Sequence, residues 1–243
     1  MTLEHTVRSY DEELNRLQQG IAEMGSLAEG ELQNAVQALV RRNADLGHQI
    51  VLDDARIDEL EQNATAQVVR LLALRQPMAS DLREIVAALK ISSDLERIGD
   101  YAANIGKRVV ALSQTPPFKL PASLPRMGWL AQQNIRDTLA AYSERNADKA
   151  LRAWQADEEL DETYSSLFRE LLTHMMEDPR NIGSCTHLLF IAKNIERIGD
   201  HATNIAETVY FMVMGEPIGT ARPKGDSTSY MTAPPAKLRP DHP

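Results

Sequence analysis

Residues Asp94–Val109 recur, one hundred positions later, as Asn194–Val209. The first copy reads Asp-Leu-Glu-Arg-Ile-Gly-Asp-Tyr-Ala-Ala-Asn-Ile-Gly-Lys-Arg-Val and the second Asn-Ile-Glu-Arg-Ile-Gly-Asp-His-Ala-Thr-Asn-Ile-Ala-Glu-Thr-Val, with nine of sixteen positions identical. A chain that carries one segment twice is constrained to a fold that uses one structural unit twice. Both copies have helical periodicity. At about 100° per residue, Ile91, Leu95, Ile98, Ala102, Ile105 and Val109 form one apolar stripe, which Ile191, Ile195, Ile198, Ala202, Ile205 and Val209 repeat. Glu96, Asp100 and Asn104 lie at intervals of four on the opposite side, as do Glu196, Asp200 and Asn204. With the stripe in the core, these carboxylates are expected to face outward.

The repetition extends beyond this segment. Arg42-Asn-Ala-Asp45 returns as Arg145-Asn-Ala-Asp148, Met24 as Met127, and Asp54-x-x-Ile-Asp58 as Asp157-x-x-Leu-Asp161, all displaced by 103. The displacement falls to 100 in the last helix, which places a three-residue loss near Glu177–Arg180. The expected architecture is all-α: two tandem, pseudo-repeated three-helix bundles, six helices in all. Residues 1–112 form the first, 113–125 a proline-rich linker, 126–214 the second, and 215–243 a tail expected to be disordered for want of apolar periodicity.

Within the first unit the opening helix is expected from His5 to Arg42. Its seam runs through Val7, Tyr10, Leu14, Leu17, Ile21, Met24 and Ala28, then steps past Glu31 to Leu32, Val36 and Leu39. Gly20, Gly25 and Gly30 each weaken it by roughly 1 kcal/mol relative to Ala, so tertiary packing must sustain it. A single second helix is expected from Leu46 to Arg75, ended by Pro77. The third is expected to be capped by Asp81 with Glu84 three residues on, and to run to Leu112.

Composition narrows the function. Aromatic residues make up only 5% of the chain, and helix formers dominate. The formal net charge of −9 argues against non-specific nucleic-acid binding. The single cysteine, Cys185, fits a reducing compartment and aligns with Ile85 as a small buried residue. Neither a signal peptide nor an apolar run of spanning length is visible, so a cytoplasmic protein without membrane insertion is expected.

Chemistry is concentrated in acid pairs at i, i+4: Asp54/Asp58 and Glu96/Asp100, then Asp157/Asp161 and Glu196/Asp200. Like charges at this spacing are mildly destabilising, and a cation held between them reverses the sign. Iron or manganese suits such carboxylate-rich sites. The competing reading is a solvated acidic face. Lys193 can balance Glu196 without any metal, whereas its counterpart is Ser93. His201 stands beside Asp200, but its counterpart is Tyr101, so it is not expected to be a ligand. Arg97/Arg197 and Gly99/Gly199 are also paired, the glycines as markers of close helix approach. A carboxylate-bridged metal hydrolase or oxidase is the alternative to a regulatory adaptor. The inward Glu-x-x-His motifs of bundle di-iron enzymes are missing from the sequence.

Arg75-Gln-Pro-Met-Ala-Ser-Asp-Leu-Arg83, leading into the doubled Glu-Arg-Ile-Gly-Asp, resembles the PhoU family of phosphate-signalling regulators over about residues 5–214. The second unit departs from this lead-in, reading Met176-Glu-Asp-Pro-Arg-Asn-Ile-Gly183. The resemblance implies surface clusters of iron or zinc, with manganese or magnesium as further candidates. Their ligands would be Asp54, Asp58, Glu96, Asp100, Asp157, Asp161, Glu196 and Asp200. It also implies an adaptor that restrains the phosphate-sensing histidine kinase PhoR and contacts the ATPase subunit of the Pst phosphate transporter at the inner membrane. The long seam reaching Val7 and Tyr10 adds the expectation of a homodimer.

Overall fold

The computed structural model describes residues 2–75 and 77–220, which form helices joined by turns and short loops. In order these are α1 (Thr2–Arg41), α2 (Ala44–Asp53), α3 (Ala55–Arg75), α4 (Ala79–Ser113), α5 (Ser123–Ser143), α6 (Ala147–Gln155), α7 (Asp157–Glu177) and α8 (Ile182–Met214), with a 3-10 turn at Pro179–Asn181 before the last. The two organising segments are α4 and α8, packed against each other at the centre. Asp94 meets His201, Tyr101 meets Arg197 and Arg108 meets His187, so the two helices run antiparallel. α1, α2 and α3 pack around α4, and α5, α6 and α7 around α8.

Every residue of the two predicted stripes is buried, and they share one core that continues from one half to the other. Reciprocal contacts show how the duplicated units face each other. Leu139 fills the space beside Gly25, and its counterpart Val36 fills the space beside Gly128, 103 residues on from Gly25. The helix-weakening glycine is thus the point where α5 docks on α1. Cys185 is buried as expected. Tyr10 packs against the core instead of offering free surface, while the side chain of Val7 lies outside the described residues.

Two local expectations are corrected. The second helix of each unit is interrupted, at Asp54 in the first and at Ala156 in the second. Acids favour a helix N-terminus, and α7 opens with Asp157, Glu158 and Glu159 while α3 carries Asp58 in its first turn. The acidic residues start a new helix rather than decorating an old one. α4 begins at Ala79 behind Met78, which makes no side-chain cap; Asp81 lies inside the first turn. Glu84, expected in a capping box, is buried and accepts hydrogen bonds from Gln18 and, at 2.5 Å, from Arg145. It therefore ties α1, α4 and the α5–α6 turn together. Of the stretch expected to be a disordered tail, residues 215–220 are described and Ile218 packs beside Trp154; residues 221–243 lie outside the described residues.

The repeated Arg-Asn-Ala-Asp marks a turn. Arg42 and Arg145 both take left-handed φ values, 52° and 49°, and the following asparagine amides bond back to the carbonyls of Ala38 and Ala141. The same asparagines cap the next helix, each side chain accepting from a backbone amide three residues on. Gly47 and Gly106 permit backbone contact between α2 and α4: a Cβ on Gly106 would lie 2.7 Å from the Gly47 carbonyl oxygen. Gly106→Ala is expected to cost about 1–3 kcal/mol, because backbone must move to admit the methyl. A urea midpoint unchanged from wild type would refute this. Among the described residues no helix is long and apolar enough to cross a membrane.

Candidate functional site

The interruption at Asp54 turns its side chain onto α4, where Gly99 leaves room for it. A Cβ on Gly99 would lie 2.9 Å from Asp54 Oδ1 and 3.5 Å from Glu31 Oε2. Both oxygens are buried and without a hydrogen-bond partner. Two carboxylate atoms thus converge over a glycine in mid-helix, each stripped of water and unpaired. Around them stand Asp58, Glu96 and Asp100. Arg97, exposed at the edge, lies 3.0 Å from Asp100 and 3.5 Å from Glu96.

Electrostatics confirm the crowding. Burial, then the charges of Asp54, Asp53 and Asp58, push Glu31 from the ordinary carboxylate range to about 8. Burial and the charges of Asp100 and Asp58 lift Asp54 to about 6. Glu96 is raised by burial and by Asp100, with smaller contributions from Asp58 and Glu61. All four sequence-predicted acids of the first unit belong to this neighbourhood, joined by Glu31. The sequence reading passed over Glu31 as a break in the seam. A polar residue set in an apolar stripe, matched by polar Asn134 at the same place in the second unit, was the available signal.

The second unit repeats the plan with altered parts. Gly199 again lies under the second helix, a Cβ there meeting Leu160 and, at 3.0 Å, Asp157 Oδ1. The expectation that the acids face outward fails here: Asp157, Asp161 and Glu196 are only 2%, 4% and 5% exposed. The α8 face opposite the apolar stripe is covered by α7, which makes Glu196 interior, whereas on α4 the Glu96 and Asp100 side chains stay 25% and 39% exposed. Lys193 donates to Glu196 at 2.8 Å and lies 5.0 Å from the Tyr164 ring. Burial raises Glu196 to about 7 even so, with Lys193 opposing the shift. His201 lies 2.7 Å from Asp94 across the central seam and takes no part in the acid group. Arg197 likewise reaches across the seam to the Tyr101 hydroxyl.

Carboxylates with orphaned, buried oxygens are the donor chemistry that hard or borderline cations use, so the residues present fit a metal in kind. In the arrangement seen, no three His, Cys, Asp or Glu side chains among the described residues close around one point. A cleft of about 480 Å³ lies elsewhere, between α1 and α5, and is lined by Gln18, Glu84, Arg136, Tyr142 and Arg145 among others. Its two arginines are paired with Glu29 and Glu84.

Known proteins match this chain along nearly its whole helical length. The family model described as the PhoU domain matches twice, over residues 21–109 and 124–209. A phosphate-specific transport system accessory protein PhoU homolog of Caulobacter vibrioides is 51% identical, covering 93% of this chain and 99% of that one. The protein of the same name in Xylella fastidiosa is 52% identical, over 93% of this chain and 95% of its own length. Among solved structures, PhoU from Pseudomonas aeruginosa superposes with a TM-score of 0.83 at 38% identity, covering 85% of this chain and 100% of that chain. The phosphate transport system regulatory protein PhoU from Streptococcus pneumoniae gives 0.81 at 31%, covering 87% and 100%. With two copies of the domain flanking one antiparallel central pair, this chain belongs to the PhoU family.

Proposed function

We propose that this protein is a non-catalytic regulator of phosphate uptake, accessory to a phosphate-specific transport system. The observation that carries the reading is the 51% identity, over 93% of the chain, to a protein named for that role. In the finer form of the proposal it is a cytoplasmic adaptor, peripheral to the inner membrane through its partners. It restrains the sensor kinase PhoR when phosphate is plentiful and engages the ATPase subunit of the Pst transporter. It acts as a homodimer and holds iron or zinc, or else manganese or magnesium, at its acid groups. Asp54, Asp58, Glu96 and Asp100, with Glu31, would hold the metal in the first unit, and Asp157, Asp161, Glu196 and Asp200 in the second. Such an ion supplies charge neutralisation and cross-links helices; the chain's own residues supply rigid faces for partners.

The test is capture by the tagged full chain from membranes that contain the kinase and the transporter. Membranes lacking either protein serve as controls, and light scattering of the purified chain gives its mass. Retention of both partners is expected. A chain that binds neither, or that turns over phosphomonoesters in a metal-dependent way, would overturn the adaptor reading.

A further inference from the structure

Along the outer seam of the central α4–α8 pair, cations are laid on aromatic rings. Arg108 lies 4.0 Å over the half-exposed Phe190 ring and contacts His187 Nδ1 at 3.5 Å. Two turns along, Arg197 lies 5.8 Å from the Tyr101 ring and donates to its hydroxyl at 3.2 Å. Further on, the exposed Lys90 lines a shallow recess with Phe211. Lys90, Tyr101 and Arg108 share one face of α4, as Phe190 and Arg197 share one face of α8. From Lys90 to Arg108 the strip runs about 27 Å, roughly five helical turns. The acids beside it are engaged within the chain. Asp94 is held by His201 and Asn204, Glu207 accepts from the Trp154 indole, and Glu96 and Asp100 meet Arg97. Arg108 and Arg197 rest on rings instead, with Glu196 and Asp200 acting on Arg197 only as neighbouring charges.

We infer that this seam is a docking surface for an amphipathic helix of a partner protein, one whose contact stripe carries acids. The inference rests on the adaptor reading above and names the face through which the adaptor acts. The shallow channel between two antiparallel helices is where a third packs, its ridge entering their shared groove. A guanidinium laid on a ring is held in place and weakly hydrated, so it loses little on meeting a carboxylate. In a chain of net charge −9, such cations mark where complementary charge arrives from outside. Width selects among anionic partners. Glu96 and Asp100 stand on one flank of the strip and Asp200 on the other. An anionic membrane or a nucleic-acid duplex spreads over those flanks and is repelled there. A helix, about 10 Å wide, fits between them. The chain's own residues 221–243 have the wrong sign to occupy the seam, with Arg222, Lys224, Lys237 and Arg239 against Asp226 and Asp241.

The experiment uses the tagged full chain and membranes that contain the kinase and the transporter. Arg108→Glu/Arg197→Glu reverses the strip, and Arg16→Glu/Arg41→Glu makes the same change of charge on α1, with circular dichroism to verify folding of both. The strip variant is expected to capture about tenfold less of a partner, while the α1 variant matches wild type. Phe190→Cys, labelled with a benzophenone maleimide, then sets a photo-crosslinker in the strip; Cys185 is buried and stays unlabelled. The partner peptide crosslinked there should be acidic and have the apolar periodicity of a helix. Equal capture by wild type and the strip variant would overturn the docking surface while leaving the adaptor reading intact. A crosslink to lipid, to a second copy of this chain, or to a partner segment without an acidic stripe would do the same. Wild type that captures neither partner would overturn both, and so separates the two failures.

Discussion

Stripped of metal, the protein is expected to lose about 3–5 kcal/mol of stability through Glu31 alone as the pH rises from 5 to 8. The sign follows from Glu31, whose folded pKa is raised from 4.5 to about 8. Between those values the native state holds a proton that the unfolded chain has released. Stability therefore falls with rising pH across that window, and is flat below and above it. Asp54, raised to about 6, and Glu196, raised to about 7, act in the same direction over narrower windows. Urea unfolding with chelator at pH 5, 6.5 and 8 measures the slope. Glu31→Gln, which cannot ionise, should make it shallower, leaving the part due to Asp54 and Glu196, and make the apo protein more stable than wild type at pH 8. Adding a binding metal at pH 8 should restore wild type by mass action and act more weakly on Glu31→Gln. A pH slope as steep in Glu31→Gln as in wild type would show that the burden lies elsewhere.

That single residue illustrates what the sequence could and could not reveal. The apolar stripes of α4 and α8 were legible because a helix exposes its period directly in the chain, and each predicted position is buried. The duplication was legible for the same reason. The break at Asp54 was not, since neither glycine nor proline marks it; acids gathering at a new helix start are a weaker local signal than a missing backbone donor. Glu31 was passed over because its cost and its purpose are both tertiary, defined by Asp54 and Gly99 on other helices. Glu84 was misassigned for a related reason. The local spacing from Asp81 suggested a cap, but Gln18 and Arg145, distant in sequence, claim its carboxylate.

The matched double substitutions in the two halves are expected to behave in opposite ways. Glu96→Ala/Asp100→Ala should leave the apo protein as stable as wild type, or a few tenths of a kcal/mol more stable, because like-charge contacts at i, i+4 are relieved. The partner left behind, Arg97, is exposed and loses little. Glu196→Ala/Asp200→Ala should cost about 2–4 kcal/mol. Here the carboxylate is 5% exposed and accepts from Lys193 at 2.8 Å, so its removal opens space in a packed interior and deprives the ammonium of a close counter-charge. For a chain of this length that corresponds to a Tm lower by roughly 5–15 °C. Adding Lys193→Ser to the second pair should recover part of the loss, since the unpaired charge is then gone; a purely steric origin predicts no recovery. Melts of all variants in chelator, and again with metal, complete the comparison. Metal should raise the Tm of wild type by more than it raises that of either double variant. If the two double variants melt together, the acids of the two halves share one environment, and Lys193 has no special role in holding the second.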